Sequence, residues 1–322
     1  MSRKICMSIG TVLAFGFAVC CYLFLHQQFI SETTSRPLSQ VVDTVSATET
    51  DASADKAVSK NVTTTGTTTA AGGSFSLGEQ QEQEVTAMLQ GFGGKVSALY
   101  MDIGSGYTYQ YEPTQEFFAA SLMKAPYCMY ILQLASEGKC DLSEQMTYTQ
   151  QFQAGGTGII QKAEFGTRYS IQTLIEYCIR YSDNVAIRML RSRFPADGFQ
   201  RFATSLGIEN PGSIGYITNA KITAADAAVY MRAIYQFIHT DKTGGPLLYE
   251  YMTHTRNPMF TSQYSMARKY GWADAAFHDM AIVEAPRPYI LILLTDHEDG
   301  TAGDFAMFRQ FSAKIEGLSG QI

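Results

Sequence analysis

Phe117-Phe118-Ala119-Ala120-Ser121-Leu122-Met123-Lys124-Ala125-Pro126 is the stretch on which the reading of this chain turns. Within it a hydroxyl and an amine, Ser121 and Lys124, stand three residues apart, which on a helix puts them on one face about a turn from each other. A serine hydroxyl is a weak nucleophile until a base takes its proton. A lysine gives up its own proton more readily among apolar neighbours than on a surface, and this stretch supplies such neighbours. The pattern alone is weak, because Ser-x-x-Lys occurs three times, at Ser53…Lys56, Ser121…Lys124 and Ser136…Lys139. Context separates the three.

The first of them falls in a segment that cannot fold. Residues 31–74 are dominated by Ser, Thr, Ala and Asp, with Val62-Thr63-Thr64-Thr65-Gly66-Thr67-Thr68-Thr69 as a low-complexity run. Too little apolar surface is available there to offset the entropy of ordering. The segment reads as a disordered stalk. Asn61-Val62-Thr63 within it is a formal glycosylation acceptor, relevant only in a eukaryotic secretory route. Ahead of the stalk, residues 1–30 read as a membrane anchor. Ile5 to Leu25 carries no charge and would rise about 31 Å as a helix, enough to cross a bilayer core. Arg3-Lys4 before it favours an inside N-terminus and export of the rest. The expected partner there is the lipid bilayer, and the expected location is a single-pass protein with a short cytoplasmic end and an extracellular domain. A cleaved signal peptide, giving a secreted protein, is the rival reading. Phe24-Leu25-His26-Gln27-Gln28 offers it no small-x-small cleavage site.

What is left, residues 75–322, is long enough to bury a core as one unit. Lys95 to Ile103 and Tyr107 to Tyr111 read as two strands joined at Gly104-Ser105-Gly106, after a first helix over Gly78 to Gln90. The Ser121 helix comes next and ends near Gly138. That makes Ser136…Lys139 a helix stop, with Gly138 and Lys139 suited to the end of the helix dipole. Gln151 to Thr167 reads as a Gly-rich loop. Ser170 caps a helix with an Ile171, Leu174, Ile175, Cys178, Ile179 stripe, which runs into Tyr181-Ser182-Asp183-Asn184 and a helix over Val185 to Phe194. Thr223-Ala224-Ala225-Asp226 has capping-box character and opens a helix over Ala227 to Ile238. Ser265 to Trp272, His278 to Glu284 and Tyr289 to Thr295 read as strands, followed by a last helix from Asp304. The expected fold is α+β: an antiparallel sheet built from both ends of the domain, flanked by terminal helices, with an all-helical insert.

Composition excludes several classes. The charge is −6, from 24 basic and 30 acidic side chains, and aromatics are not interleaved with Arg or Lys, so nucleic acid is not an expected partner. Three cysteines, Cys128, Cys140 and Cys178, remain beyond the anchor. That odd number argues against a disulfide framework, and Cys128 and Cys178 fall in apolar helical patterns as small core residues. The five histidines have no metal-ligand spacing, so neither metal nor cofactor is expected. His278-Asp279 tempts toward a Ser-His-Asp triad. Adjacent strand residues point to opposite faces, however, and a structural role fits better.

Ser121-x-x-Lys124, then Ser182-Asp183-Asn184, then Lys269-Tyr270-Gly271 on a late strand together resemble the serine β-lactamases and penicillin-binding proteins, and the class A β-lactamase branch in particular. A literal Lys242-Thr243-Gly244 also occurs, but Gly245-Pro246 and a helix-like Leu247 to Met252 follow it, as at a solvated turn. The resemblance implies Ser121 as acylated nucleophile, Lys124 as its base and Ser182 as proton relay to the leaving nitrogen. It implies Asn184, Lys269 and Gly271 as substrate-binding, and the backbone amides of Ser121 and Trp272 as the oxyanion hole. The implied substrate is a β-lactam or a D-Ala-D-Ala-like cell-wall peptide, handled by a monomer through an acyl-enzyme. A penicillin-binding module with poor turnover, and a cell-wall peptidase or esterase, use the same residues. Two departures stand out. Tyr270 replaces the family's Thr or Ser, and Gly215, in Gly215-Tyr216-Ile217-Thr218-Asn219, replaces the Glu that activates the deacylating water.

Overall fold

In the computed structural model, residues 75–209, 220–297 and 300–320 are described. They belong to one unit, Thr67–Ile322. The anchor and stalk expectations, and the Gly215–Asn219 segment, lie outside the described residues. Among the described residues no helix is long and apolar enough to cross a membrane.

The strand signals at the two ends of the domain meet in one antiparallel sheet. After helix α1 (Glu79–Gln90) come β1 (Val96–Asp102) and β2 (Thr108–Tyr111), and the end of the chain supplies β7 (Met266–Ala273), β8 (Ala276–Val283) and β9 (Tyr289–Thr295). Their order is β2-β1-β9-β8-β7. Val96 pairs with Thr295 and Asp102 with Tyr289, so the first and last strands run side by side. β9, Tyr289-Ile-Leu-Ile-Leu-Leu-Thr295, is buried along its whole length, as an unbroken apolar run in a middle strand must be. A helix, α8 (Ala302–Leu318), capped by Thr301 and Asp304 rather than starting at Asp304, lies beside α1 on one face of the sheet. Val85 and Leu89 of α1 pack there with Phe308, Phe311, Tyr100 and Leu293.

The opposite face carries the insert. It holds α2 (Lys124–Ser136), α3 (Ile171–Arg180), α4 (Asn184–Arg193), α5 (Ala196–Ser205), α6 (Ala224–Thr240) and α7 (Gly244–Thr253). Two small two-stranded ribbons, β3 (Phe117–Phe118) with β6 (Lys221–Ile222) and β4 (Gln145–Thr147) with β5 (Arg168–Ser170), pin it together. α2 is buried nearly all round its first two turns, and Pro126 sits in its first turn, where no amide donor is needed. The stripe of α3 is buried as its spacing requires, and Ser170 accepts from the Thr173 amide. Helix α5 was not expected. Gly198 weakens its propensity, yet a Cβ there would run into the Tyr130 hydroxyl, and only Phe199 and Ala203 of the helix are buried. Packing rather than propensity makes this helix.

Candidate active site

Ser121 lies one turn earlier than a helical reading places it. It sits on a tight turn before α2, closed by bonds from the Leu122 amide to the Ala119 carbonyl (3.0 Å) and from the Lys124 amide to the Ser121 carbonyl (3.3 Å). Ala120 just before it has φ +45°, a left-handed conformation that costs an L-residue roughly 1–2 kcal/mol. The turn is held from both sides. The Ala119 amide donates to the Ala220 carbonyl at 2.7 Å, and Gly271 of β7 packs beneath it. A Cβ on Gly271 would come 3.1 Å from the Ala119 carbonyl and 3.3 Å from the Ala120 methyl. β7 is the edge strand of the sheet, so its outer rim is open to this turn.

Lys124 is the first residue of α2 and is 1% exposed. Its Nζ donates to Ser182 O at 2.5 Å, to Ser182 Oγ at 3.2 Å and to Asn184 Oδ1 at 2.8 Å. Three donated bonds are what an ammonium makes; the neutral amine has a lone pair to spare. Burial pushes its pKa down to about 8. Lys269 approaches from β7, fully buried, and donates to Ser182 Oγ at 3.1 Å and to Tyr270 O at 2.9 Å. Burial first, and the neighbouring Lys124 second, hold Lys269 well below the ordinary lysine range. One hydroxyl, that of Ser182, thus lies between two buried amines.

The backbone at Ser182 explains how it serves both. With φ +53° it is left-handed, and both its carbonyl and its hydroxyl meet Lys124. Asp183 anchors the corner. Its Oδ1 caps α4 through the Val185 and Ala186 amides, and its Oδ2 accepts from Ile159 and Ile160. Capping and site-building are therefore the same event. The Gly-rich loop crosses over this corner: Thr157 Oγ1 donates to Ser182 O (2.7 Å), and Asn184 Nδ2 donates to Gly155 O (2.9 Å). Gly156 (φ +86°) and Gly158 (φ +120°) leave no room for a Cβ against the Asn184 and Asp183 side chains. In sequence this stretch reads as part of a Gly-rich loop that shapes the substrate site; its hold on the Ser182–Asn184 corner depends on packing between distant segments.

Tyr270 has its ring 4.1 Å from Lys269 Nζ, a cation–π contact on the buried side of the site. Trp272 stands on the rim, 38% exposed, and lines with Ser121, Asn184 and Thr157 a cavity of about 830 Å³. The remaining signals sort as the residue patterns require. Lys242 is exposed, and Thr243 is the residue before α7, far from any such cluster in role. Gly138 (φ +71°) ends α2, and Lys139 pairs with Glu137. Cys128 and Cys178 are buried free thiols. His278 donates from Nε2 to Phe118 O (2.8 Å) and accepts at Nδ1 from the Thr295 amide (3.1 Å), while Asp279 faces the other way and pairs with Arg268. No triad forms. Among the described residues no three His, Cys, Asp or Glu gather where they could hold a metal ion.

With this geometry in place, the comparisons are specific. The model of a family described as the beta-lactamase enzyme family matches residues 80–317. Beta-lactamase SME-1 of Serratia marcescens is 23% identical over 127 residues, 39% of this chain and 43% of that protein. A beta-lactamase of Bacillus subtilis is 29% identical over 154 residues, 43% of this chain and 49% of that one. The chain thus matches less than half the length of each of these curated relatives. Among solved structures, a PBP-A mutant held as an acyl-enzyme complex with penicillin G has a TM-score of 0.67 at 20% identity, covering 76% of this chain and 97% of that one. A beta-lactamase from Sphaerobacter thermophilus has a TM-score of 0.70 at 17% identity, covering 77% and 99%. At those identities the likeness is one of fold.

Proposed function

The chain belongs to the beta-lactamase enzyme family, and we propose that it is a serine hydrolase that opens β-lactams or D-Ala-D-Ala-like amides through an acyl-enzyme on Ser121. The observation that carries this is the pair of buried amines, Lys124 and Lys269, on the two sides of the Ser182 hydroxyl. Among the described residues no carboxylate pairs with these lysines; their acceptors are hydroxyl, amide and carbonyl oxygens. For Lys124, burial with so little compensating charge is what shifts it toward the neutral form a base must have.

In the proposed reaction the neutral Lys124 takes the Ser121 proton as the serine oxygen attacks the substrate carbonyl. With a pKa near 8, about a tenth of the molecules hold that neutral form at pH 7. Ser182 passes a proton to the leaving nitrogen and is resupplied from a lysine beside it. Asn184 holds Lys124 and, with its amide, the substrate. Lys269 supplies positive charge to Ser182 and to a substrate carboxylate. The amides of Ser121 and Trp272 receive the oxyanion; the turn before α2 and the edge of β7 are suitable carriers for such donors.

A second reading has its own support. Gly215 stands where the deacylating Glu is expected, and a PBP-A mutant, one of the structural neighbours, is seen as an acyl-enzyme with penicillin G. On that reading this protein acylates and releases slowly, as a penicillin-binding module. We also propose that the domain stands outside the cell on a membrane-crossing anchor formed by Ile5 to Leu25, as a monomer, on the strength of that uncharged run and Arg3-Lys4.

A fluorescent penicillin should label the protein and add its mass to the Ser121 peptide, and Ser121→Ala should abolish the label. Absence of label on the wild type overturns the acyl-enzyme. Fast multiple turnover of nitrocefin would eliminate the slow-release reading. Extraction of the full chain from membranes only by detergent is the outcome expected of the anchor.

A further inference from the structure

We propose that the acyl portion of the substrate carries a negative charge, and that Arg188 is the group that reads it. The inference rests on acylation at Ser121 and adds to it the chemistry of what is acylated.

α4 begins at Asn184, and Ile187, Arg188 and Arg191 follow at the third, fourth and seventh positions after it, all on one helical face. All four line the same cavity as Ser121. Ser182 and Lys269, the groups assigned to the leaving nitrogen, are fully buried and are not part of this wall. One helical turn, about 6 Å, separates the Asn184 and Arg188 positions along the axis. Arg188 therefore faces the acyl side of the substrate, beyond the amide that Asn184 holds.

The state of the Arg188 guanidinium is the second observation. It is exposed, and its Nη1 donates to the neutral Gln153 carbonyl at 2.5 Å. Among the described residues no carboxylate lies within ion-pair distance of it. Arg193, on a different face of the same helix, is met by Glu144 through two bonds of 2.8 and 3.1 Å. In a chain whose net charge is −6, an arginine pointing away from the cavity has found a carboxylate and the one pointing into it has not. Arg191 adds a second positive charge to the wall, and Asp274, in the β7–β8 turn, is the acidic side chain among the described residues lining the cavity. A guanidinium with four donors still to place is suited to a planar carboxylate, which it can hold by two parallel bonds. The substrate class is thus an acyl group bearing a carboxylate, in a β-lactam side chain or a peptide.

Three penicillins test this because they share a nucleus and a phenyl-bearing side chain and differ in the charge on its α-carbon. Ampicillin carries an ammonium there, benzylpenicillin no charge and carbenicillin a carboxylate. The second-order rate of acylation at Ser121, read by intact mass, should rank carbenicillin above benzylpenicillin above ampicillin. An exposed pairing is worth up to about fivefold, and exchanging attraction for repulsion compounds it, so the extremes should differ severalfold, up to roughly tenfold, at low salt. Arg188→Gln should bring the carbenicillin-to-ampicillin ratio near one, Arg188→Glu should invert it, and Arg188→Lys should keep most of it. A ratio near one in the wild type, or a ratio untouched by Arg188→Gln, overturns the inference while acylation stands. A uniform loss for all three drugs in Arg188→Gln, not rescued by Arg188→Lys, assigns Arg188 to folding and overturns it too. If no penicillin reaches Ser121, the acyl-enzyme fails first and the inference falls with it.

Discussion

Arg268 and Lys269 are neighbours on β7, both buried, and they lead opposite lives on the two faces of one sheet. Arg268 turns toward the α1–α8 side. There its guanidinium donates to Asp279 Oδ2 (3.2 Å), Thr255 O (3.2 Å) and Asn257 O (3.3 Å). Lys269 turns toward the insert, where among the described residues no carboxylate pairs with it and Lys124 pushes against it. The first charge is compensated and the second is not. A buried cation with a carboxylate is a structural device; a buried cation set against another is held at a cost to the fold, and that is the signature of a site.

The comparison breaks most visibly in activity. Lys269→Met should slow acylation by a hundred- to ten-thousand-fold, the range for loss of a positioned proton-transfer partner. Its effect on stability should be small or favourable, because a charge buried against a like charge is removed. Acylation by the wild type should rise with pH and level off above about 8, following the neutral fraction of Lys124, whose pKa burial lowers. Stopped-flow labelling from pH 6 to pH 9 checks the limb. A flat profile would exclude Lys124 as the base.

Arg268→Met should do the reverse. Asp279, whose pKa burial already raises despite the guanidinium, is left in the sheet without its cation. Removing one partner of such a pair costs about 3–5 kcal/mol. Urea denaturation should show that loss, while the folded fraction acylates within a few-fold of wild type. The double variant Arg268→Met, Asp279→Leu should recover much of it, because no lone charge remains. If Arg268→Met costs as little stability as Lys269→Met, the contrast between the two faces is wrong.

His278 gives the comparison a pH axis. It is on the insert side of β8, uncharged, with Nε2 donating to the Phe118 carbonyl and Nδ1 accepting from the Thr295 amide. A second proton would destroy the Thr295 bond, and burial lowers the pKa from 6.5 to about 4. Above pH 6.5 neither folded nor unfolded chain holds that proton. Between 6.5 and 4 the unfolded chain takes it and the folded chain does not, so stability falls as pH falls through that window. The loss should reach about 3 kcal/mol by pH 4. His278→Asn should flatten this part of the stability profile, measured against the wild type by urea titration at each pH.

These contrasts bear on what could be read from residues alone. The sheet was legible because both ends carry strand patterns and the middle does not, and the meeting of Lys124, Ser182, Asn184 and Lys269 beside the cavity that Ser121 lines was legible because each sits in a recognisable short pattern. Opposite orientation of His278 and Asp279 followed from strand alternation. Illegible was everything set by approach between distant segments. The left-handed backbone at Ala120 and Ser182 shows no glycine to announce it. Arg188 belongs to a helix that reads as an ordinary polar one until the loop from Gly155 closes over its start. The turn before α2 was read as helix because its residues favour helix; the bond from Ala119 to Ala220, a hundred residues on, decides otherwise.

Gly271 gives the smallest effect and the finest test, because it joins the two halves of the comparison. It follows Lys269 and Tyr270 on β7 and supports the turn that carries Ser121. In Gly271→Ala the new methyl would lie 3.1 Å from the Ala119 carbonyl, 3.1 Å from Leu122 Cγ and 3.3 Å from the Ala120 methyl. Two of those three neighbours belong to backbone or to a side chain already fixed by it, so the turn itself must give by a few tenths of an ångström. Overpacking of this kind costs about 1–3 kcal/mol. The expected outcome is a stability loss at the low end of that range together with slower acylation, since the displaced atoms are those on either side of Ser121. If Gly271 served the substrate by direct contact alone, the alanine would weaken drug binding and leave thermal stability untouched. Measuring both quantities on one preparation separates the two: a lowered melting temperature with slower labelling supports the steric role, and slower labelling with an unchanged melting temperature rejects it.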